Sequence, residues 1–437
     1  MTTPTPAETL ARPLTLPCGA VLPNRFIKSA MSETLGTLSN EPTERLAPLY
    51  QRWAEGGTGL LVTGNVFVHK RAVGEARAIA FDDRQHLDLL ARWARAGRAA
   101  GAKTWVQINH AGKQVPKLVS AEPVAPSAVA LDPKLQRFFN PPRELSSSEI
   151  WDIVEQFGRA AAIAREAGFD GVQIHGAHGY LVSQFLSPRH NLREDEWGGS
   201  AERRRRFALE VYKSMRAAVG ADFPVAIKIN SADFLRGGFS EDESLATVRA
   251  LAEAGIDLIE LSGGSYEKPA MMGAARSEEG GAAPVKASTA AREAHFIAFA
   301  ERVRREVDVP LAVTGGFRSA AGMADAVESG AVDMVGLARA LVVEPDLPRR
   351  VLAGEAATVQ LPTIKTGIKQ VDELFVSEMV WYQQQIHRMA RGKPARKRAR
   401  AWSALLRGVL TMLVESVRRR QLLSVKTPRG LSASTAT

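Results

Sequence analysis

Cysteine is almost missing from this sequence, since Cys18 is the only one among 437 residues. A single thiol excludes an intrachain disulfide and any iron–sulfur cluster or zinc site built from several thiolates. No apolar run approaches the roughly 20 residues that span a bilayer, and the first residues lack a basic segment followed by an apolar one. We therefore expect a soluble, cytoplasmic protein in which any redox chemistry depends on an organic cofactor.

Acidic residues are scarce in one region only. Lys and Arg outnumber Asp and Glu by 57 to 47, a formal net charge of +10. The segment from Leu361 to the end holds 15 basic and 4 acidic residues, which leaves 42 basic and 43 acidic residues before it. The excess positive charge therefore belongs to the carboxyl-terminal segment, and the main body is close to neutral.

Apolar, β-branched runs alternate with Ala-rich helical stretches through most of the chain. Eight of these runs predict strands, at residues 24–31, 59–66, 103–109, 171–175, 225–230, 258–262, 310–314 and 333–338. Eight βα units predict a (β/α)8 TIM barrel over residues 1–358, followed by a basic, mainly helical extension over residues 359–437. Residues 14–23 are expected to form a hairpin that closes the amino-terminal end of the barrel.

Three polar rings follow the fourth predicted strand. His175, His178 and Tyr180 lie within six residues, and glycines break the strand there, so the rings should project from its carboxyl end. Two neutral imidazoles can donate N–H groups to one oxygen, and a phenol can deliver a proton. A His-x-x-His metal pair and a purely structural pair are the alternatives, but no third ligand is evident nearby, and we expect no metal.

The ends of the last two predicted strands indicate an anion site. Gly315 and Gly316 follow the seventh strand, whereas Ala338 and Arg339 follow the eighth. Glycine lets backbone N–H groups approach a phosphate closely, and the guanidinium adds a charged donor. A phosphate beside these two loops is a recurring property of the barrel fold.

Other polar groups converge on the barrel mouth. They lie at or near the ends of the first, second, third and fifth strands and are Ser32, Gly64, Gln107 and Lys228. Such groups suit a ring system rich in carbonyls and ring nitrogens. Lys228 also has two other interpretations, a Schiff-base lysine or a structural partner of Asp233 or Glu260.

In combination, these motifs resemble the old yellow enzyme family of NAD(P)H:flavin oxidoreductases. The matching segments are residues 24–32, 107–114, 175–180 and 185–200 with the two phosphate loops, and the resemblance spans roughly residues 10–355. It implies an FMN-dependent ene-reductase. NADH or NADPH would deliver a hydride to N5 of FMN, and the hydride would then pass to the β-carbon of an activated alkene in the same pocket.

The resemblance also implies how FMN is held. Backbone at Ala30 and Met31 would lie against the ring, and the Ser32 hydroxyl would lie near N5 and the C4 carbonyl. Gly64 and Gln107 would hydrogen-bond the pyrimidine edge. The remaining contacts would come from Lys228 beside the part of the ring that becomes anionic, and from Gly315, Gly316, Ala338 and Arg339 around the phosphate. Of the three rings, His175 and His178 would bind the substrate's oxygen and Tyr180 would donate the proton.

The sequence departs from the usual family pattern at several of these positions. Ala30 replaces a common Pro, Ser32 a Cys or Thr, Lys228 an Arg and Ala338 a Gly, and Thr34 stands where some relatives carry an aromatic residue. A lysine offers a point charge where arginine offers a bidentate fork. Flavin affinity and substrate preference therefore do not transfer from relatives.

The basic extension predicts two helices, at residues 371–391 and 402–425. Apolar residues at 402, 405, 406, 409, 410, 413 and 417 form a stripe on the second one. We prefer packing of this stripe on the barrel or on a second copy to contact with an anionic membrane surface, and we expect no nucleic acid.

Two other classes of function remain as alternatives to a reductase of small molecules. One is an aldolase-type lyase that forms a Schiff base on Lys228. The other is a flavoprotein whose main role is to recruit a partner or a membrane through its tail.

Three residues after the sixth strand have two possible roles. They either shape the substrate pocket or simply pack, and they are Tyr266, Met271 and Met272.

Overall fold

The computed structural model describes residues 4–268, 296–372, 376–396 and 398–426. The described strands are β1 (Leu14–Thr15), β2 (Val21–Leu22), β3 (Phe26–Lys28), β4 (Leu60–Phe67), β5 (Ile79–Ala80), β6 (Lys103–Asn109), β7 (Val124–Ala125), β8 (Arg143–Glu144), β9 (Gly171–Gly176), β10 (Val225–Asn230), β11 (Leu258–Ser262), β12 (Leu311–Thr314) and β13 (Met334–Leu337). The described α-helices are α1 (Pro6–Ala11), α2 (Leu46–Glu55), α3 (Leu87–Gly97), α4 (Pro133–Gln136), α5 (Ser147–Glu166), α6 (Leu181–Leu186), α7 (Ala201–Val219), α8 (Glu241–Glu253), α9 (Ile297–Arg304), α10 (Ala320–Glu328), α11 (Arg339–Val343), α12 (Leu347–Leu352), α13 (Lys369–Asp372), α14 (Val376–Met389) and α15 (Ala401–Lys426).

Eight parallel strands close into a barrel. Their order is β3, β4, β6, β9, β10, β11, β12 and β13, and β13 pairs with β3 to complete the circle. All eight predicted strands are present, so the (β/α)8 prediction is confirmed. The first is shorter than predicted, because the Asn24 side chain accepts the Phe26 N–H at 3.0 Å before β3, and the chain beyond Lys28 leaves the sheet for the barrel mouth.

The strands and helices follow from ordinary local signals. Every residue of β9, β10 and β11 is buried, as expected for parallel strands covered on both faces. Ser200 caps α7 and Ser319 caps α10 by accepting backbone N–H bonds from Arg203 and Gly322. These signals fix where each helix begins and therefore which loops face the carboxyl ends of the strands.

The predicted amino-terminal hairpin is also confirmed. β1 and β2 pair antiparallel, with Leu14 opposite Leu22. Both leucines pack with apolar side chains inside the bottom of the barrel, including Leu60 and Trp105. This end is filled by side chains, so a ligand of the barrel belongs at the opposite, carboxyl end.

The basic extension packs on the barrel through α14. Trp381, Tyr382 and Ile386 on this helix are buried, and they join the main hydrophobic core. The helix predicted at 371–391 corresponds to the described helical residues of α13 and α14, and the second predicted helix corresponds to α15. None of the helices in the described ranges is long and apolar enough to cross a membrane.

Candidate active site

The three predicted rings lie together at the end of β9. Lys228 on β10 is in register with His175, which places both at the carboxyl end of the barrel. His178 adopts a left-handed φ of 61° and Gly179 follows at 78°, so the chain turns sharply just after the strand. The His175 ring centroid is then 5.2 Å from that of His178 and 4.8 Å from that of Tyr180.

Both histidines are neutral. Burial, together with His178 and Lys228, holds the pKa of His175 well below its ordinary value. The Nδ1 atom of His175 accepts the Ala177 N–H at 3.3 Å, so the ring proton is on Nε2. Burial and the Lys228 charge lower the pKa of His178 to about 3. Each ring is therefore a neutral N–H donor at pH 7.

His178 is held from two further strands. Its backbone N–H donates to Asn230 Oδ1 at 3.1 Å, and its Nε2 lies 2.8 Å from Ser262 Oγ. These contacts hold the ring in place, and within the described ranges no group of three His, Cys, Asp or Glu residues is arranged to hold a metal. Two neutral imidazoles can donate N–H groups to one oxygen.

Tyr180 is a protonated phenol in the same pocket. Its hydroxyl lies 3.1 Å from the Tyr266 hydroxyl. Burial raises the pKa of Tyr180 well above its ordinary value, and Tyr266 and the nearby Glu75 add to the rise. Tyr266 therefore contributes to the pocket as well as packing there, whereas Met271 and Met272 lie outside the described residues.

Glu75, which the sequence did not indicate, reaches the same pocket from the loop between β4 and β5. Its neighbour Gly74 lies close to Ala111, since a Cβ on Gly74 would be 3.2 Å from the Ala111 side chain. Burial raises the pKa of Glu75 to about 7, although a hydrogen bond with the Ser32 side chain opposes the rise, and the Glu33 charge adds to it. A carboxyl that titrates near neutral pH thus lies beside Ser32.

A chain of buried polar groups supports the site from below. Gln107 Nε2 donates to Gln173 Oε1 at 2.7 Å, and Gln173 Nε2 donates to Glu260 Oε2 at 2.7 Å. Lys228 Nζ lies 3.0 Å from Glu260 Oε1. Burial alone would raise the pKa of Glu260, but the Lys228 charge and hydrogen bonds from Thr314 and Gln173 hold it below its ordinary value.

This ion pair decides between the interpretations of Lys228. Glu260, rather than Asp233, is its partner, since Asp233 instead accepts bonds from Asn230 and the Phe239 N–H. An ammonium held by an ionised carboxylate is not a free amine nucleophile. The side-chain carbonyl oxygen of Gln107 and the remaining N–H groups of Lys228 are available to a ligand at the barrel mouth.

Gly64 lies in a crowded part of the mouth. A Cβ there would be 1.9 Å from Glu33 Oε2 and 2.2 Å from the Met31 carbonyl, so only glycine fits. Its N–H donates to Glu33 Oε1 at 2.9 Å, which gives this predicted cofactor contact a partner within the protein. Glu33 also lies 3.6 Å from the buried Lys28 ammonium.

The predicted phosphate loops are adjacent. Gly315 and Gly316 have φ of 122° and 95°, which L side chains rarely adopt. Thr314 is in register with Gly336, so these glycines lie beside Ala338 and Arg339 at the start of α11. The Arg339 Nη1 atom donates a hydrogen bond to Glu378 Oε1, on α14 of the extension.

The site fits a flavin mononucleotide. The polar groups for a heterocycle come from β6 (Gln107), β10 (Lys228) and the segment after β3 (Ser32), and the glycine and arginine loops for a phosphate follow β12 and β13. The neutral histidines and the protonated phenol lie at the same end of the barrel, after β9. These donors and acceptors match the chemical groups of FMN.

Comparison with known proteins decides the family. The sequence profile of the NADH:flavin oxidoreductase / NADH oxidase family matches residues 9–357. The chain belongs to this family. It is therefore an FMN oxidoreductase that uses a nicotinamide donor, and the resemblance to old yellow enzymes is confirmed.

Individual relatives agree with this assignment. The chain is 40% identical over 362 residues to an NADH-dependent flavin oxidoreductase of Hypocrea jecorina, which covers 78% of this chain and 88% of the relative. It is 33% identical over 338 residues to an NADH oxidase of Thermoanaerobacter brockii, covering 76% of this chain and 49% of that protein. Among solved structures, morphinone reductase superposes with a TM-score of 0.65 at 25% identity, covering 80% of this chain and 91% of that one.

The sequence patterns do not indicate a role for four residues of the site, which are Glu33, Glu75, Lys28 and Gln173. Polar residues inside otherwise apolar strands, such as Gln173 and Lys28, are a usable signal, because such groups are buried only with partners. Glu75 had no signal, since its loop reaches Ser32 only in the fold.

Proposed function

We propose that this FMN oxidoreductase reduces an activated alkene of the enone type, or a similar acceptor. The observation that carries the proposal is the arrangement of two neutral histidines and a protonated tyrosine, His175, His178 and Tyr180, around one position at the barrel mouth. Neutral N–H donors polarise a carbonyl, and a phenol with a raised pKa keeps its proton until a carbanion-like carbon forms.

The same proposal assigns the cofactor contacts. Ala30, Met31 and Ser32 would border the ring, Gly64 and Gln107 its pyrimidine edge, and Lys228 the part that becomes anionic. The phosphate would lie among Gly315, Gly316, Ala338 and Arg339. When bound, FMN would supply the chemistry of hydride transfer between NADH or NADPH and the substrate. Glu260 holds the Lys228 ammonium in place, and Lys228 would offer its remaining N–H groups to the ring.

Within the substrate pocket, His175 and His178 would each donate one N–H to the substrate's carbonyl oxygen and stabilise negative charge there. Tyr180 would then give its proton to the α-carbon. The Tyr266 hydroxyl, 3.1 Å away, would donate a hydrogen bond to the phenolate that remains. The product leaves with the hydride on the β-carbon and the proton on the α-carbon, so atoms and charge balance.

Replacing Tyr180 by phenylalanine tests the proposed proton donor. We expect Tyr180→Phe to slow the half-reaction with an enone by about 10²-fold, because general-acid catalysis contributes about that much. Reduction of the flavin by NADH should stay within twofold, since it needs no phenol. Stopped-flow absorbance of the flavin measures both half-reactions in one preparation, and equal losses in both would refute the role of Tyr180.

The tail has a second proposed role. We propose that residues 359–437 form a part distinct from the 1–358 barrel, and that α15 rests weakly on an anionic membrane surface. Apolar side chains of α15 are exposed in the described structure: Trp402, Leu406, Val409, Leu410, Leu413, Val414 and Val417. The net charge of +11 on the segment from Leu361 complements anionic lipid. A homo-oligomer formed through the same face is the competing outcome of a vesicle-binding experiment.

We further propose a cytoplasmic location, because the enzyme draws on NADH or NADPH and its substrate is a small molecule. Fractionation of cells that express the full chain tests this proposal. Recovery in the cytoplasmic fraction, with a salt-releasable part on membranes, is the expected result.

A further inference from the structure

We propose that α14 of the carboxyl-terminal extension completes the phosphate site and that the Tyr382 hydroxyl is a ligand of the FMN phosphate. The inference rests on the proposed position of the phosphate beside Arg339. It goes further by assigning part of the cofactor site to a segment beyond the family-matched residues 9–357.

The first observation is the contact between α14 and the phosphate loop. Arg339 bonds Glu378 on the first turn of α14, and the two side chains are 22% and 19% exposed. An arginine held by a carboxylate keeps its other N–H groups aimed in a fixed direction. The extension thus orients the residue expected to bind the phosphate.

The second observation is the environment of Tyr382, one turn further along α14. Tyr382 is 6% exposed, and its hydroxyl makes no hydrogen bond to any described residue. A buried hydroxyl without a partner is costly, so such a group in a folded protein calls for a ligand.

The charges around Tyr382 identify that ligand as an anion. Burial raises the pKa of Tyr382 to about 12; the Arg339 guanidinium opposes the rise, the Glu378 carboxylate that Arg339 bonds adds to it, and the Arg318 guanidinium also opposes it. The hydroxyl therefore remains a proton donor. Arg318 follows β12 and Arg339 follows β13, and two guanidiniums with one hydroxyl donor suit a phosphate dianion better than a neutral group.

The other end of α14 contacts the segment that follows β3, the strand that pairs with β13. His387 Nε2 lies 2.8 Å from the Glu33 carbonyl and 3.1 Å from Thr34 Oγ1. These residues directly follow Ser32, the residue proposed to lie near the flavin N5. A single helix therefore contacts both the loop at the ring end and the loop at the phosphate end of the proposed FMN position.

Riboflavin separates a phosphate contact from a general effect, since it has the same ring without the phosphate. The experiment uses the full-length protein loaded with FMN or with riboflavin, and measures dissociation constants from the flavin fluorescence that recovers on dilution. We expect Tyr382→Phe to weaken FMN binding about tenfold, the typical effect of losing a hydrogen bond to a charged group. Riboflavin binding should change by less than about twofold.

Tyr212→Phe is the matched control. Tyr212 is also a buried tyrosine near an arginine, with Arg216 Nε 3.4 Å from its hydroxyl, but it lies on α7 outside the barrel. It should leave both dissociation constants unchanged. If Tyr382→Phe weakens both flavins equally, or leaves FMN binding intact, Tyr382 is not a phosphate ligand.

Arg339→Ala tests the position of the phosphate separately from the role of α14. If Arg339→Ala weakens FMN selectively and Tyr382→Phe does not, the phosphate lies where proposed and only the role of α14 is wrong. If Arg339→Ala also fails to separate FMN from riboflavin, the position of the phosphate itself is wrong. Thermal unfolding of each variant confirms that the chain is folded.

Discussion

At the residue scale, burial in the pocket sets which side chains carry a proton at neutral pH. Burial holds His178 neutral with a pKa of about 3, keeps Tyr180 protonated, and raises the pKa of Glu75 to about 7. The same desolvation acts on all three, but it disfavours the cation in one case and the anion in the others. Proton donors and neutral hydrogen-bond donors therefore coexist at neutral pH.

The raised pKa of Glu75 predicts how the free energy of unfolding changes with pH. Its pKa in the folded protein, about 7, lies above the ordinary 4.5, so folding favours its protonated form. This contribution to the free energy of unfolding is complete below pH 4.5 and is lost as the pH rises through 7. We expect Glu75→Gln, which mimics the protonated acid, to gain in melting temperature relative to the wild type between pH 5 and pH 8.

The exposed Glu155 provides the control, since its side chain is 70% exposed on α5. Glu155→Gln should differ from the wild type by the same amount at both pH values. A difference for Glu75→Gln that does not change with pH would show that the carboxyl titrates normally.

At the element scale, the site depends on polar side chains that connect neighbouring strands. The chain from Gln107 through Gln173 to Glu260 crosses β6, β9 and β11, and Lys228 joins it from the intervening β10. Strand register makes these contacts possible, because Lys228 lies opposite both His175 and Glu260. Four neighbouring strands of the barrel therefore contribute to the position of a single cation.

Breaking the Lys228–Glu260 pair should be costly. We expect Glu260→Gln to lower the free energy of unfolding by about 3 kcal/mol, because removing one partner leaves a buried charge uncompensated. Urea denaturation followed by circular dichroism measures the change. Adding Lys228→Met to Glu260→Gln should recover part of the loss.

The control for this prediction is Glu253→Gln, at an exposed position at the end of α8. It should change the free energy of unfolding by less than about 0.5 kcal/mol. A loss below about 1 kcal/mol for Glu260→Gln would mean that Lys228 finds another partner or releases its proton.

At the scale of the whole molecule, the protein is a neutral barrel with a basic extension attached at its mouth. α14 packs on the barrel, whereas α15 leaves its apolar stripe exposed. Packing is the preferred prediction for the stripe on α15, but most of the stripe is exposed in the described structure, and its Trp402 Nε1–H donates to the Thr366 carbonyl at 2.9 Å. A contiguous exposed apolar face marks an interaction surface.

Vesicles of anionic phospholipid test what covers this face. We expect the full-length enzyme to bind them at low salt and to leave them at about 0.5 M salt, because screening weakens the electrostatic part. Replacing Leu406 and Leu413 by serine should abolish binding. Leu192→Ser, at a barrel position that is 62% exposed, should not.

Light scattering on the same proteins gives the competing outcome. If the wild type fails to bind vesicles and forms a dimer that the Leu406 and Leu413 substitutions dissociate, the face is a contact between copies of the chain. Comparing the effect of salt with the effect of the Leu406 and Leu413 substitutions also shows whether the net charge or the apolar stripe contributes more to binding.

Alternation of apolar runs and helices determined the barrel, and polar residues at strand ends determined which end carries the site. Both signals are local in sequence, since strand burial and the turns after His175 and Thr314 need only nearby residues. The tertiary structure alone decided which groups meet. Glu260 rather than Asp233 holds Lys228, Glu75 reaches Ser32, and Glu378 and Tyr382 approach Arg339, because these partners come from distant segments whose distances are set by barrel closure and helix packing.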